Sequence, residues 1–383
     1  MANPKLRFKA DDGTDFPEWQ KCKIRSILEI LYGKDYKHLS EGNIPVLGTG
    51  GVISFVDDYL CNWPCALIGR KGTINKPQYM DKPFWVVDTL FYTRPIDANN
   101  PLFQYYLFFT IDWIKYNEAS GVPSLSAKTI YSIDVLNPCL EEQRKIADFL
   151  STFDDKVEAK EQQLEALQET KKGLLQQIFS QQLRFKADDG TEFPDWRKTS
   201  IAKIAKVIGG GTPSTKNPEY WDGDVLWFTP SEINSKYLST SQKCITDLGV
   251  KKSSAKVLPK NTLLLTTRAS LGLCSINNLD QLVSTNQGFQ SLVCNECVNH
   301  EFLYYCISTK SFQNEMLRLS SGSTFKEISS TALKSINVCV PCFEEQRKIA
   351  EFLGAFDEKI EAVKRQLEAL KEIKKGLLQQ MFV

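Results

Sequence analysis

The chain is 383 residues long, enough for two or three domains with cores of their own, and its 42% hydrophobic and 24% charged residues are an ordinary globular balance. Lys+Arg 47 against Asp+Glu 46 leaves a formal net charge of +1, which excludes a strongly basic histone-like binder but permits nucleic-acid contact through local basic loops. With only His38 and His300, imidazole catalysis or metal ligation has little to draw on.

The start, MANPKLRFKADD, lacks the apolar core of a signal peptide, so no export is expected. The most apolar run, 105–114, is broken by Asp112 and is too short to span a bilayer, so no membrane association is expected and the default location is cytoplasmic. Residues 6–19 read LRFKADDGTDFPEW, with Asp-Gly at 12–13 and a proline shortly after marking a turn. Residues 20–140 then alternate aromatic and β-branched runs with Gly, Pro, Asn and Ser, as in a mixed domain with much sheet. Its markers are IPVLGTGGVISFVDDYL (44–60), ALIGRKGTI (66–74), PFWVVDTLFYT (83–93), a helix-like stretch at 102–116 and SGVPSLSAKTI (120–130).

Residues 141–180 change character. Steps of four and three from Ile146 land on Leu150, Phe153, Val157, Lys160, Leu164, Leu167, Lys171, Leu174 and Ile178, the seam of a heptad helix that no proline interrupts. Then the pattern starts again. Residues 183–196 read LRFKADDGTEFPDW, and 197–343 form another mixed segment with GGGTPSTKNPEYWDGDVLWFTPSEI (209–233), LLLTTRASLG (263–272), STNQGFQSLV (284–293), a helix-like 301–319 and SGSTFKEISSTAL (321–333). Residues 344–383 repeat the long helix, with seam positions Ile349, Leu353, Phe356, Ile360, Val363, Leu367, Leu370, Lys374, Leu377 and Met381. The two helices agree at about 28 of about 40 aligned positions, which marks a duplication.

A helix of ~38 residues is ~57 Å long and cannot hide its apolar stripe alone. One reading lays each helix on its own domain. The near-identity of the two seams favours pairing with each other, with a gross gain of order 20 kcal/mol. A head-to-tail repeat that buries one seam twice implies a pseudo-twofold object with antiparallel helices. The expected fold class is therefore α+β: two mixed β-rich domains joined by two long antiparallel helices forming a coiled coil. The boundaries fall at 1–140 (tail and first domain), 141–182 (central helix), 183–343 (repeated tail and second domain) and 344–383 (C-terminal helix).

Cys294/Cys297 and Cys339/Cys342 are each CxxC, but the gap of about 40 residues exceeds usual zinc spacing and both lie in strand-like surroundings. Small buried hydrophobes are the simpler reading, and no metal site is expected.

The ordered set resembles the specificity subunit of type I restriction–modification enzymes. The resemblance rests on Pro-x-x-Glu-Glu-Gln-x-x-Ile-Ala at 138–147 and 341–350, Phe-Pro-x-Trp at 16–19 and 193–196, and two dissimilar intervening domains. It covers essentially the whole chain. It implies a non-catalytic subunit whose two target-recognition domains each read half of a split double-stranded DNA site, at a separation set by the helices. It also implies docking of two methyltransferase subunits that use S-adenosylmethionine. A restriction subunit, where present, would add ATP- and Mg-dependent translocation and cleavage. No cofactor is expected on this chain itself. An alternative of another class is a non-enzymatic coiled-coil assembly protein whose β-rich domains bind protein or glycan.

The residues fit a lack of catalysis. Asn137-Pro138-Cys139-Leu140 fails the Asn/Asp-Pro-Pro-aromatic tetrad of an amino-methyltransferase, and Gly209-Gly210-Gly211-Thr212 lacks the Gly-Lys-Ser/Thr ending of a phosphate loop. Asp154 and Asp155 read as a solvated helix face. For DNA, Arg70 and Arg268 suit guanine or phosphate, Lys71 and Lys216 suit phosphates, and Thr49, Thr229, Ser231, Asn286, Gln287, Ser323 and Thr324 offer short hydrogen-bonding side chains. Tyr220 and Trp221 would stack on an opened step or else belong to the core. On the helices, Glu141, Gln143 and Arg144, with Lys145 beside them, and Glu344, Gln346 and Arg347, with Lys348, read either as solvated charge or as a docking face used twice by two copies of one partner.

Overall fold

A computed structural model of the chain describes residues 4–268, 270–322 and 326–382. It divides into two compact units, Met1–Gln163 with Val363–Val383, and Leu164–Ala362.

In the first unit the elements run β1 (Gln20–Lys23), β2 (Leu28–Tyr32), β3 (Ile44–Gly48), β4 (Gly51–Val56), β5 (Cys65–Gly69), β6 (Gln78–Met80), β7 (Trp85–Val86), β8 (Leu90–Pro95), α1 (Pro101–Phe109), α2 (Ala127–Ser132), β9 (Asp134–Asn137) and then the start of α3 (Leu140–Phe179). A four-stranded sheet has the order β2-β8-β5-β6, a three-stranded sheet the order β4-β3-β7, and β1 pairs β9. Strand β5, Cys-Ala-Leu-Ile-Gly, is buried along its whole length because it lies between β8 and β6 with both faces covered. Helix α1 begins where Asn100 accepts from the Phe103 amide at 2.9 Å, with Pro101 supplying a first-turn residue that needs no donor.

The second unit continues with β10 (Arg197–Ser200), α4 (Ile201–Ile204), β11 (Ala205–Gly209), β12 (Trp221–Phe228), β13 (Lys243–Ile245), α5 (Asp247–Lys251), β14 (Leu263–Thr266), β15 (Cys274–Ile276), β16 (Val283–Thr285), β17 (Phe289–Cys294), α6 (His300–Ser308), α7 (Lys310–Leu319), α8 (Ser330–Ser335), β18 (Asn337–Val340) and α9 (Phe343–Phe382). Its sheets are β11-β17-β14-β15, β13-β12-β16 and β10-β18. Adding nine to each strand number of the first unit reproduces the second. The match includes the parallel pairs, β3 with β7 and β12 with β16. Two segments that share only loose sequence parallels therefore have one topology, because connectivity needs apolar strands in order and tolerates wide change in loops.

Within each unit two long-helix segments lie antiparallel. In the first, Met381 and Phe382 from the end of α9 enter a core with Ile146, Ala147 and Leu150 from the start of α3. The Phe382 ring stacks on Phe103 at 5.2 Å and meets Trp19 edge-on at 6.0 Å. In the second, Ile178 and Phe179 from the end of α3 join Ile349 and Leu353 of α9. Phe179 stacks on Phe302 at 5.4 Å and meets Trp196 at 5.9 Å. Of the remaining seam positions, Ile360, Val363 and Leu367 are buried, while Phe153, Val157, Leu164, Leu167, Leu174, Phe356, Leu370 and Leu377 are half-buried.

Candidate nucleic-acid interface

The repeated Glu-Glu-Gln block is an anchor. Glu142 is fully buried and receives Arg7 through Nε at 3.1 Å and Nη2 at 2.9 Å, and Trp19 Nε1 at 3.0 Å. Its twin, Glu345, receives Arg184 at 2.8 and 2.9 Å and Trp196 Nε1 at 3.2 Å. The tail thus binds the helix start through a charge pair whose carboxylate is desolvated, and that carboxylate holds each guanidinium above its ordinary range. Next to it, Gln143 accepts from the Asn100 amide at 2.8 Å and donates to Pro138 O at 3.0 Å, and Gln346 does the same with Asn299 and Pro341 at 2.9 and 3.0 Å. Both glutamines are buried, which corrects the expectation that they face outward for docking: their amides close the gap between the helix start and the cap of α1 or α6. Lys145 and Lys348 likewise turn to the tails, to Asp11 at 2.5 Å and Asp188 at 2.6 Å. Glu141, Arg144, Glu344 and Arg347 are exposed.

Further along, the helix pairs carry charge in the seam. Asp154 pairs with Lys374 and accepts from the Tyr106 hydroxyl at 2.5 Å, and Asp357 pairs with Lys171 and accepts from Tyr305. Burial first, then the carboxylate, pushes both phenols far up, so each stays a donor. Asp154 is therefore paired across the helices and half-buried, where a solvated face was expected, while Asp155 is exposed as expected. The stepping that put Lys171 and Lys374 on the seam was the available signal.

The recognition side is built from loop ends. In the first unit, Thr49 sits in the β3–β4 turn with its hydroxyl 3.7 Å from where a side chain on Gly72 would begin. Arg70 and Lys71 precede that glycine; their amides bond Thr89 O at 2.8 and 3.1 Å. The Arg70 guanidinium donates to Asp88 O at 3.1 Å and lies 5.5 Å from the Tyr32 ring centre. The structure therefore brings Thr49, Arg70 and Lys71 to one rim.

In the second unit the Gly211 amide bonds Thr285 O at 2.8 Å, Asn286 bonds Phe228 O at 3.0 Å, and Thr267 bonds Gly288 O at 2.8 Å. The loops approach so closely that a side chain on Gly210 would stand 1.9 Å from Asn286 O. This gathers Thr229, Ser231, Arg268, Asn286 and Gln287 at one rim. Thr229 and Ser231 hydroxyls are 3.0 Å apart, and Glu232 accepts from Thr229 at 2.6 Å. Asn286 accepts the Gly288 amide at 2.8 Å, and Gln287 accepts from Thr212, a member that sequence reasoning missed. Arg268 is exposed and grips Glu327 bidentately at 2.8–3.0 Å. Ser323 and Thr324 lie outside the described residues. Among the described residues no contact brings Lys216 or Tyr220 to this rim. Trp221 packs edge-on to Trp227 at 5.2 Å and donates to Ser214 O at 3.2 Å, which places it with the core.

Among the described residues no group of three or more His, Cys, Asp or Glu side chains is placed to hold a metal ion. Burial pushes the Cys294 thiol up to about 12, and Cys297 stands exposed on the following turn. No helix among the described residues is long and apolar enough to cross a membrane.

These features define a class: an internally duplicated recognition scaffold, with one topology used twice and two rims of different chemistry. Residues 17–169 and 194–372 match the family described as "Type I restriction modification DNA specificity domain", and the chain belongs to that family. It is 39% identical over 209 residues to the type I restriction enzyme MjaIX specificity subunit of Methanocaldococcus jannaschii, covering 54% of this chain and 48% of that protein, so it spans about half of that relative's length. To the MjaVIII specificity subunit of the same organism it is 24% identical over 420 residues, covering 97% of this chain and 94% of that one. The crystal structure of a type I restriction–modification S subunit from M. genitalium shares the fold, with a TM-score of 0.67 at 16% identity over 100% of this chain and 99% of that one.

Proposed function

We propose that the chain is the non-catalytic, cytoplasmic specificity subunit of a type I restriction–modification complex, reading a bipartite double-stranded DNA site. One target-recognition domain, within 1–140, takes one half-site, and the other, within 183–343, takes the second. The long helices 141–182 and 344–383 set the gap and carry two methyltransferase subunits. The observation that carries this reading is the contrast between scaffold and rim. Among the described residues nine strands of one unit repeat their connectivity in the other, and the Glu142/Glu345 and Asp154/Asp357 contacts recur in both units, while the rims around Arg70 and Arg268 differ. Two different half-sites served by one shared machinery require that combination.

On this reading the rim residues position the backbone and read base edges. The exposed Glu141, Arg144, Glu344 and Arg347 form a docking face used twice by identical methyltransferase subunits. S-adenosylmethionine belongs to those partners, and ATP and Mg to a restriction subunit where one joins. The test is methylome sequencing of a host that expresses the chain with its methyltransferase: a split adenine-methylated motif is expected, lost when the chain is omitted. S-adenosylmethionine turnover by the isolated chain would overturn it.

A further inference from the structure

The two rims are not chemically alike, and the difference lies in the β3–β4 hairpin. Its ladder passes from Val46–Ser54 directly to Leu47–Val52, so Ile53 is an extra residue with no opposite number. Such a bulge bends the strand and re-aims the side chains beside it. Val52, Ile53 and Phe55 are 54%, 53% and 52% exposed, three large apolar side chains within five residues of an edge strand. The hairpin is held firmly underneath, because Val46, Leu47 and Val56 are buried and Gln78 Nε2 donates to Gly48 O at 2.9 Å. Its tip at Thr49 lies against the Arg70–Gly72 loop, which carries two cations. The matching β12–β13 ladder also shifts register, between Trp221 and Val225, but β13 bears no exposed apolar side chain: Lys243 is exposed and Ile245 fully buried.

An exposed apolar edge strand invites aggregation unless something covers it. The neighbouring cations favour a polyanion as that cover. A two-stranded ribbon fits the major groove, where the thymine C5-methyl is the apolar group on the base edges. Resting on the function proposed above, we propose that Val52 and Ile53 read thymine methyl groups in the major groove of the half-site taken by the first recognition domain. Arg70 and Lys71 hold the adjacent phosphates. The second domain discriminates through hydrogen bonds instead.

The test uses the chain assembled with its methyltransferase subunits and a duplex carrying the motif mapped by methylome sequencing. Thymines are replaced by uracil, which lacks only the methyl group, in one half-site at a time. Uracil in the first half-site is expected to weaken binding ~4-fold per methyl contacted, and in the second half-site by less than ~2-fold. The Val52→Ser/Ile53→Ser variant is expected to lose this discrimination while melting like the unaltered protein and keeping the second half of the motif. Equal binding of thymine and uracil duplexes by the unaltered chain overturns the inference and leaves the specificity-subunit reading intact, as does discrimination that survives in the variant. Absence of any split motif overturns both.

Discussion

At Glu142 a carboxylate with no solvent exposure depends on one guanidinium for its charge balance. Removing one partner of such a pair costs more than replacing both, because the remaining charge is stranded without solvent. Arg7→Met is expected to destabilise the first unit by ~3 kcal/mol in denaturant unfolding, and Arg7→Met/Glu142→Gln to recover more than half of that loss. His300 gives a pH signature. Burial lowers its pKa in the folded chain below the ordinary 6.5, so the unfolded state takes up its proton first as pH falls. Its contribution is complete above that value and is lost as pH drops through the window below it. A fall in melting temperature as pH drops below about 6.5 that is smaller in His300→Gln would bear this out. Neither group announced itself in sequence. A duplicated Glu-Glu-Gln on a helix reads as solvated charge or a docking face until the tail carrying Arg7 is seen folded over it.

At the scale of elements, the heptad stepping located both long helices and their shielded face, because a period is a local property that survives without tertiary information. The polar members of the seam were harder to interpret. Lys171 and Lys374 look like interruptions, yet each meets an aspartate and lies over a tyrosine ring, at 5.3 and 5.2 Å. Helix length is the variable the proposed ruler depends on. One additional turn of four residues, inserted after both Gln163 and Gln366, lengthens each helix by ~6 Å, just under two base-pair steps of duplex. The methylated motif is expected to gain about two base pairs in its gap with both half-sites unchanged. A changed half-site, or an unchanged gap in an active complex, would count against the helices as ruler.

At the scale of the whole molecule, divergence and repetition separate cleanly. Replacing residues 20–140 with the corresponding segment of another family member is expected to change one half of the methylated motif and leave the other half and the gap as they were. Methylome sequencing reads all three quantities at once. The graft should fold because the interface it must reproduce includes a repeated contact, Asn100 on Gln143, which recurs as Asn299 on Gln346.

The duplication, the two long helices, the mixed character of the intervening segments and the family were all legible in the order of residues, since repeats and periods are carried by the chain itself. Only the tertiary structure decided that the two recognition segments share one strand connectivity, that Gln143 and Gln346 turn inward, that Trp221 belongs to the core, and that Val52 and Ile53 stand out at a rim. Each of these depends on which distant loop or strand arrives alongside: a bulge is defined by its opposite strand, and a buried amide by the groups that accept and donate to it. Such neighbours are set by packing over long separations, which a local pattern does not encode.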